Sequence, residues 1–284
     1  MRDEVILTCA LSGVAANKQQ CAAIPYTPEE YAAEARRAFE AGASQVHIHA
    51  RYPDGRPSFR TEEYRAIRDA IVAECPELII NFSTGALGVG MEERLGYLAE
   101  LRPHVGALNM GSMNYAKYSS ARRDFVFDFV FTNPFSEIKS FLEVMNEGDI
   151  LPEMECFDVG HVSSAEPLID MGLVARRPRF SLILGVVGGI KADTRSLLAM
   201  TDALPAGASW GVIGISRTQW ILAAAALSLG GDVRVGLEDN FYLPDGVMAA
   251  SNGALIEVAA RLTRDTGRRV ASPAEARAIL GLNR

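Results

Sequence analysis

Residues 45–51 read Gln-Val-His-Ile-His-Ala-Arg. Side chains alternate along a strand, so Val46 and Ile48 fall on one face and His47, His49 and Arg51 on the other. Upstream, a helical pattern opens at Thr27-Pro28-Glu29-Glu30, with proline at the first helical position and acids in the first turn, and stops at Gly42. Downstream, a second helix opens at Thr61-Glu62-Glu63-Tyr64 and stops before Pro76. The stretch is therefore a strand between two helices, and the same alternation extends in both directions. Strands are expected at 5–12, 45–50, 78–84, 105–110, 151–157, 180–187, 209–215 and 232–238. Further helices are expected near 91–102, 135–147, 164–173, 194–204, 217–229 and 251–266, and a last one opens at Ser272-Pro273-Ala274-Glu275.

Eight strand–helix repeats and a terminal helix are the count for an α/β chain folded as a (β/α)8 TIM barrel with an additional C-terminal helix. A doubly wound sheet is the alternative, and it needs fewer repeats. No linker or charge block divides the chain, so residues 1–284 are expected to form one barrel domain. The link at 115–133 is unusually long and rich in Phe. It is open to three readings: an added strand, a lid, or a contact between subunits of a homo-oligomer.

Composition narrows the function classes. The 284 residues are 49% hydrophobic and 22% charged, which excludes disorder, collagen and coiled coil. A net charge of −7 without basic runs argues against nucleic acid or an anionic membrane surface as partner. The longest apolar run, Trp220–Leu229, stops at Gly230-Gly231, far short of the ~20 residues of a membrane span. The apolar stretch from Val5 follows Arg2-Asp3-Glu4, whose acids are wrong for a signal peptide, so it reads as the first buried strand. Cys9, Cys21, Cys75 and Cys156 are far apart and form no CxxC, as expected of reduced thiols in a cytoplasmic protein.

Separating the two faces of each strand exposes the chemistry. One face is apolar: Val46 and Ile48, Ile80 and Phe82, Leu108 and Met110, Met154 and Cys156, then Val233, Val235 and Leu237. The other carries His47, His49, Arg51, Asn81, Ser83, Asn109, Glu153, Glu155, Arg234 and Glu238. A barrel turns its apolar face to the outer helices, so the polar set points at the axis. An unpaired buried charge costs on the order of several kcal/mol, so these groups must meet one another, a metal or a ligand. His47 and His49 lie roughly 6–7 Å apart in Cα on one face, close enough to share a cation. Glu238 shares a face with Arg234 and completes a three-ligand site of the catalytic zinc type, beside Asp239 as a candidate base. The alternatives are a pair of structural histidines for the first motif, and a helix N-cap or a loop salt bridge for Glu238-Asp239. Ser83-Thr84-Gly85 ends strand three and offers hydroxyls and N–H groups to a carboxylate. His104 and His161 show no comparable pattern and are read as structural. The glycines of 185–189 lack the spacing of a dinucleotide fingerprint.

These residues lie within longer stretches that resemble the β-keto acid cleavage enzymes, whose first described activity is 3-keto-5-aminohexanoate cleavage. The resemblance rests on ILTCALSG (6–13), AGASQVHIHARYPDGRPSF (41–59), INFSTG (80–85), LNMGSMN (108–114), LPEMECFDVGH (151–161), LGVVGG (184–189), GVIGISR (211–217) and VRVGLEDN (233–240). It implies a (β/α)8 barrel holding one Zn2+ on His47, His49 and Glu238, with acetyl-CoA as co-substrate. The implied reaction joins a β-keto acid to acetyl-CoA and gives acetoacetate and a new acyl-CoA. Ser83, with the backbone of Thr84 and Gly85, would hold the substrate carboxylate. Asp239, oriented by Arg234, would take the α-proton of acetyl-CoA. Asn109 and Glu155 are the further candidates for substrate contact.

The chain departs from the resemblance after strand one. Relatives acting on amino-substituted keto acids carry an acid there, and this chain has Ala15. With Ala107 on strand four this favours a neutral substrate tail, unless Glu153 or Glu155 supplies the missing charge. A zinc aldolase or hydrolase without CoA, and a catalytically silent metal-binding barrel, remain as alternatives.

Overall fold

A strand buried on both faces needs a neighbour on each side and a helix over it, and the chain supplies both in sequence order. The computed structural model describes residues 2–86, 88–174 and 178–282. Eight parallel strands close into a barrel: β1 (Leu7–Ala10), β2 (Gln45–Ile48), β3 (Ile79–Phe82), β4 (Val105–Asn109), β5 (Leu151–Cys156), β6 (Arg179–Leu184), β7 (Ser209–Gly214) and β8 (Asp232–Val235). Each pairs with its sequence neighbours and β8 pairs back onto β1, which leaves no open edge and removes the doubly wound alternative. Around them run α1 (Pro28–Ala41), α2 (Thr61–Glu74), α3 (Met91–Leu101), α4 (Phe135–Glu147), the short α5 (Val159–Ser163) and α6 (Ala165–Asp170), α7 (Thr194–Asp202), α8 (Gln219–Leu229), α9 (Asn252–Asp265) and the added α10 (Pro273–Leu280). Thr27 and Glu30 form a capping box at the start of α1, and Ser272 and Glu275 repeat it on α10. Among the described residues no helix is long and apolar enough to cross a membrane.

The strand faces divide as the alternation requires. Every apolar-face residue, from Val46 to Leu237, lies in the main core between strands and helices. The inward face is layered. Its floor is Ile6, Ile79, Val105 and Leu151, sealed from below by Ala276 and Leu280 of α10. Above it a polar layer closes on itself. Glu153 receives hydrogen bonds from Asn81 and from Arg179 Nε (3.4 Å), and Asp232 receives Arg179 Nη1 (2.5 Å), Arg2 and the Ile6 N–H (2.8 Å). The topmost inward groups are His47, His49, Ser83, Asn109, Glu155 and Arg234, all buried.

Strand eight is shorter than expected. It ends at Val235 rather than reaching 238, because Gly236 adopts φ 155 and breaks the extended run. A Cβ there would lie 2.1 Å from the Ala10 carbonyl oxygen, so only glycine permits this approach of the two chains.

The long link proves to be an antiparallel hairpin, Met113–Ser119 with Asp124–Phe131, outside the barrel sheet. Its base is tied down by Ala116 N–H to the Val187 carbonyl (3.2 Å) and Asn133 N–H to Ser112 Oγ (2.7 Å). Met113, Tyr115 and Phe129 pack against Phe131, Phe157, Ile183, Val186 and Ile213 in a separate apolar cluster at the strands' C-terminal ends. The hairpin therefore walls one side of the barrel mouth, where barrel enzymes carry their chemistry.

Candidate active site

The two-residue period of β2 and its continuation delivers both imidazoles to the mouth. The ring centroids of His47 and His49 are 5.2 Å apart. Glu238 reaches them from the other side of β1, with its Oε1 3.8 Å from His47 Nε2 and 3.5 Å from His49 Nε2. One ligand atom from each of the three residues lies within 4.8 Å of the others. Among the described residues, His47 Nδ1, His49 Nδ1 and Glu238 Oε2 are buried without a hydrogen-bond partner. Two imidazoles and a carboxylate with unsatisfied atoms are a donor set suited to a divalent cation, and zinc in particular takes N and O donors of this kind.

The break at Gly236 explains the neighbouring residue. On a continuous strand Glu238 and Asp239 would face opposite ways. Instead the chain turns, with Asp239 and Asn240 N–H both donating to the Gly236 carbonyl at 3.0 Å. Both acids then converge on Arg234. Arg234 Nε and Nη2 bond the two Asp239 oxygens at 3.0 Å each, Nη2 also bonds Glu238 Oε1 at 2.5 Å, and Nη1 bonds Glu155 Oε1 at 3.2 Å. Three carboxylates, Glu155 and Asp239 buried and Glu238 partly so, thus share one guanidinium.

That imbalance sets the electrostatics. Burial, against the pull of Arg234, pushes Glu155 up to about 8, with Glu153, Glu238 and Asp239 adding to the rise. Burial likewise pushes Asp239 up to about 6 against Arg234, with Glu238 reinforcing it. For Glu238 burial also acts upward, but Arg234, His49 and His47 outweigh it and hold the group well below the carboxylate range. Burial and then Arg234 keep His47 well below the ordinary imidazole value, so it is neutral and able to donate its lone pair. A second positive charge at the triad would relieve the excess of carboxylates.

The other expected residues fall around this centre in two groups. Ser83 Oγ accepts the Gly85 N–H at 3.3 Å, and the Ser83 carbonyl is held by the hydroxyls of Tyr97 (2.7 Å) and Tyr64 (3.3 Å). Asn109 is buried beside this turn, its Nδ2 3.4 Å from where a Cβ on Gly85 would stand, and it pairs in register with Glu155. The Thr84 hydroxyl turns away, donating to the Ala107 carbonyl at 2.6 Å, which leaves only its backbone for a ligand. Ala107 is fully buried at the level of Glu153, in the closed polar layer, so neither residue borders the mouth. His104 and His161 each accept a backbone N–H on Nδ1, from Ile80 (3.0 Å) and Phe157 (3.3 Å), in line with their structural reading.

Sequence reasoning missed several supports. Among the described residues Arg51 pairs with no carboxylate; it clips the loop after β1 through the carbonyls of Gly13 (2.9 Å) and Ala16 (2.7 Å), and it also reaches the Gly55 carbonyl (2.6 Å). This brings Gly13 against Glu238, where a Cβ would approach the Glu238 Cγ to 2.6 Å. Asn252, at the start of α9, receives the Leu237 N–H (3.0 Å) and donates to the Leu11 carbonyl (3.1 Å) and Glu34 (2.9 Å), fixing the turn that carries Glu238. A signal for this existed: Glu34 lies on the buried stripe of α1 with Tyr31, Ala35 and Ala38, where an acid needs a partner. Tyr115 was also missed. It belongs to the hairpin, and burial together with Glu238, Asp239 and Glu155 pushes it up to about 12.

Comparison with known proteins finds relatives along the whole chain. A family model described as beta-keto acid cleavage enzyme matches residues 4–282. The chain is 39% identical over 285 residues to a 3-keto-5-aminohexanoate cleavage enzyme of Fusobacterium nucleatum, covering 100% of both chains. It is 32% identical to a 3-oxoadipate:acetyl-CoA acetyltransferase of Cupriavidus necator, covering 99% of this chain and 96% of that one. Among solved structures, the apo structure of ObcA superposes with a TM-score of 0.76 at 20% identity, over 92% of this chain and 66% of that one, a likeness of fold. By its family match and its end-to-end identity with such an enzyme, this chain belongs to the β-keto acid cleavage enzyme family.

Proposed function

We propose that the protein is a metal-dependent enzyme that exchanges carbon between a β-keto acid and acetyl-CoA, giving acetoacetate and a new acyl-CoA. The observation that carries this reading is the placement of the three-donor cluster, His47, His49 and Glu238, directly beside an Asp239 held in a bidentate clasp by Arg234. A divalent ion on the three donors, zinc by resemblance, would draw charge from the keto and carboxylate oxygens of the substrate. The remaining work falls to the chain's own side chains. Ser83 and the backbone of Thr84 and Gly85 orient the carboxylate, with Asn109 beside them, and Asp239 takes the proton.

Carbon bookkeeping decides which proton. The new thioester carries the keto carbon C3 and its tail, so the bond between C2 and C3 breaks. The C2 methylene and carboxylate leave as part of acetoacetate, so C2 must bond to the acetyl carbonyl. C2 is therefore the nucleophile, and Asp239 removes a proton from the keto acid; this replaces the assignment implied by the resemblance, in which the proton came from acetyl-CoA. That C–H is flanked by the keto and carboxylate carbons that the site holds. The thiolate freed from the acetyl carbon attacks C3, the C2–C3 bond cleaves, and the carbon released as acetoacetate regains a proton. Arg234 fixes the orientation of Asp239 throughout.

The tail reading is neutral. Ala15 brings no charge to the mouth, Glu153 is bound to Arg179, and Glu155 is already on Arg234. A panel of β-keto acids with acetyl-CoA, scored by acetoacetate release, tests the proposal. An aldolase or hydrolase would turn over without CoA, and a silent binding barrel would release nothing. Asp239→Asn should retain metal and lose turnover by roughly 100-fold or more; near-full activity would remove Asp239 as the base.

A further inference from the structure

The hairpin carries more aromatic surface than its fold requires. Register places Tyr115 opposite Phe129 and Lys117 opposite Phe127, so these four side chains share one face. Tyr115 stacks on Phe129 with ring centroids 5.2 Å apart and planes 8° apart, and Phe129 on Phe127 at 6.0 Å and 18°. The inner end of this ladder meets Phe131 and Phe157 at the barrel rim, at 5.9 and 6.2 Å from Tyr115. The outer end is uncovered, with Phe127 37% exposed. Lys117 stands opposite Phe127, and Arg122 and Arg123 lie in the turn beyond, all exposed. None of these three cations forms an ion pair among the described residues; other exposed cations such as Lys139 and Arg195 likewise form none there, and what sets these three apart is their place together at the end of the aromatic ladder.

We propose that this face of the hairpin is the track for the CoA arm of the thioester, with the aromatic ladder against the pantetheine chain and Lys117, Arg122 and Arg123 at its phosphates. The inference rests on the acetyl-CoA reaction proposed above. Its chemistry follows from the layout. The mouth holds Glu155, Glu238 and Asp239 in a chain of net charge −7, which repels a polyanion. A phosphorylated co-substrate therefore needs its cations away from the reacting end, joined to it by a surface that accepts a thin, largely neutral chain. The hairpin provides both, and its inner end opens at the reacting groups. The keto acid is too short to use the outer end.

The test is a kinetic comparison of full-length protein carrying Lys117→Ala, Arg122→Ala and Arg123→Ala together, and separately Phe127→Ala. Removing the three exposed cations together should raise KM for acetyl-CoA roughly tenfold while KM for the keto acid stays within about twofold. With acetyl-pantetheine, which lacks the nucleotide phosphates, the triple variant and the parent should converge, and Phe127→Ala should still be impaired. The rise in KM for acetyl-CoA with ionic strength should also vanish in the triple variant. Unchanged KM for acetyl-CoA in both variants overturns the proposal, as does an equal rise for both substrates. A change of oligomeric state with KM for acetyl-CoA intact would assign the face to a second copy of the chain instead. A parent enzyme that shows no acetyl-CoA-dependent turnover would refute the reaction itself, a result distinct from a parent that turns over while its variants keep the same KM.

Discussion

Replacing Arg234 by Met keeps most of the aliphatic volume and removes the guanidinium that bonds Glu155, Glu238 and Asp239. The structure sets the scale. Arg234 makes four hydrogen bonds of 2.5–3.2 Å to the three carboxylates, and all the partners are buried or nearly so. Deleting one side of a buried ion pair costs about 3–5 kcal/mol, because the remaining charge is left without a partner. For a barrel of this size that corresponds to a fall in Tm of roughly 6–20 °C. The loss must depend on pH. Asp239 sits at about 6 and Glu155 at about 8 with Arg234 in place, and both rise further without it. At pH 5 both groups are protonated and the deficit is small, whereas at pH 8, where Asp239 is ionised in the parent, the variant must either take up a proton or bury a charge without its counter-ion, so the deficit is larger. Thermal unfolding of metal-free protein, in chelator at both pH values, measures the difference. A penalty below ~1 kcal/mol, or one equal at the two pH values, would refute the claim that a single guanidinium balances the cluster.

The same geometry makes a proton and a glycine testable. Glu155 holds its proton up to about 8 in the folded state, against an ordinary value of 4.5. Folding therefore retains a proton that the unfolded chain releases, so Glu155 makes the metal-free protein less stable as pH rises from 4.5 to 8. Glu155→Gln should flatten that slope in chemical denaturation; an unchanged slope would show that Glu155 is not the group responsible. Gly236→Ala places a Cβ 2.1 Å from the Ala10 carbonyl oxygen at φ 155, and it should cost roughly 3 kcal/mol or more and weaken metal binding by displacing Glu238. Normal stability with full metal content would show that the turn does not set the site.

The legible and illegible parts of the molecule divide along physical lines. Barrel, strand order and inward polar face were readable because alternation along β2 and β8 is a local property: His47 and His49 are two residues apart, and Arg234 needs only its strand. Their convergence with Glu238 follows once the barrel closes β8 onto β1. The turn at Gly236 was not readable, since it depends on how closely β1 approaches β8, and a run ending Val-Gly-Leu-Glu continues the alternation on paper. The division of the polar face into a closed lower layer and an open upper one also lay beyond the pattern. Glu153 and Glu155 have the same period, and only depth separates the one bound to Arg179 from the one bound to Arg234. The hairpin was visible as an anomaly of length and composition, while its pairing required Tyr115 to meet Phe129.

The central claim is that C2 of the keto acid attacks the acetyl carbonyl and that the keto carbon leaves as a new thioester. Turnover of a β-keto acid with acetyl-CoA labelled with 13C at its carbonyl follows both fates at once. All of the label should appear at the keto carbon of acetoacetate and none in the new acyl-CoA. Label in the new thioester, or in free acetate, would contradict that claim.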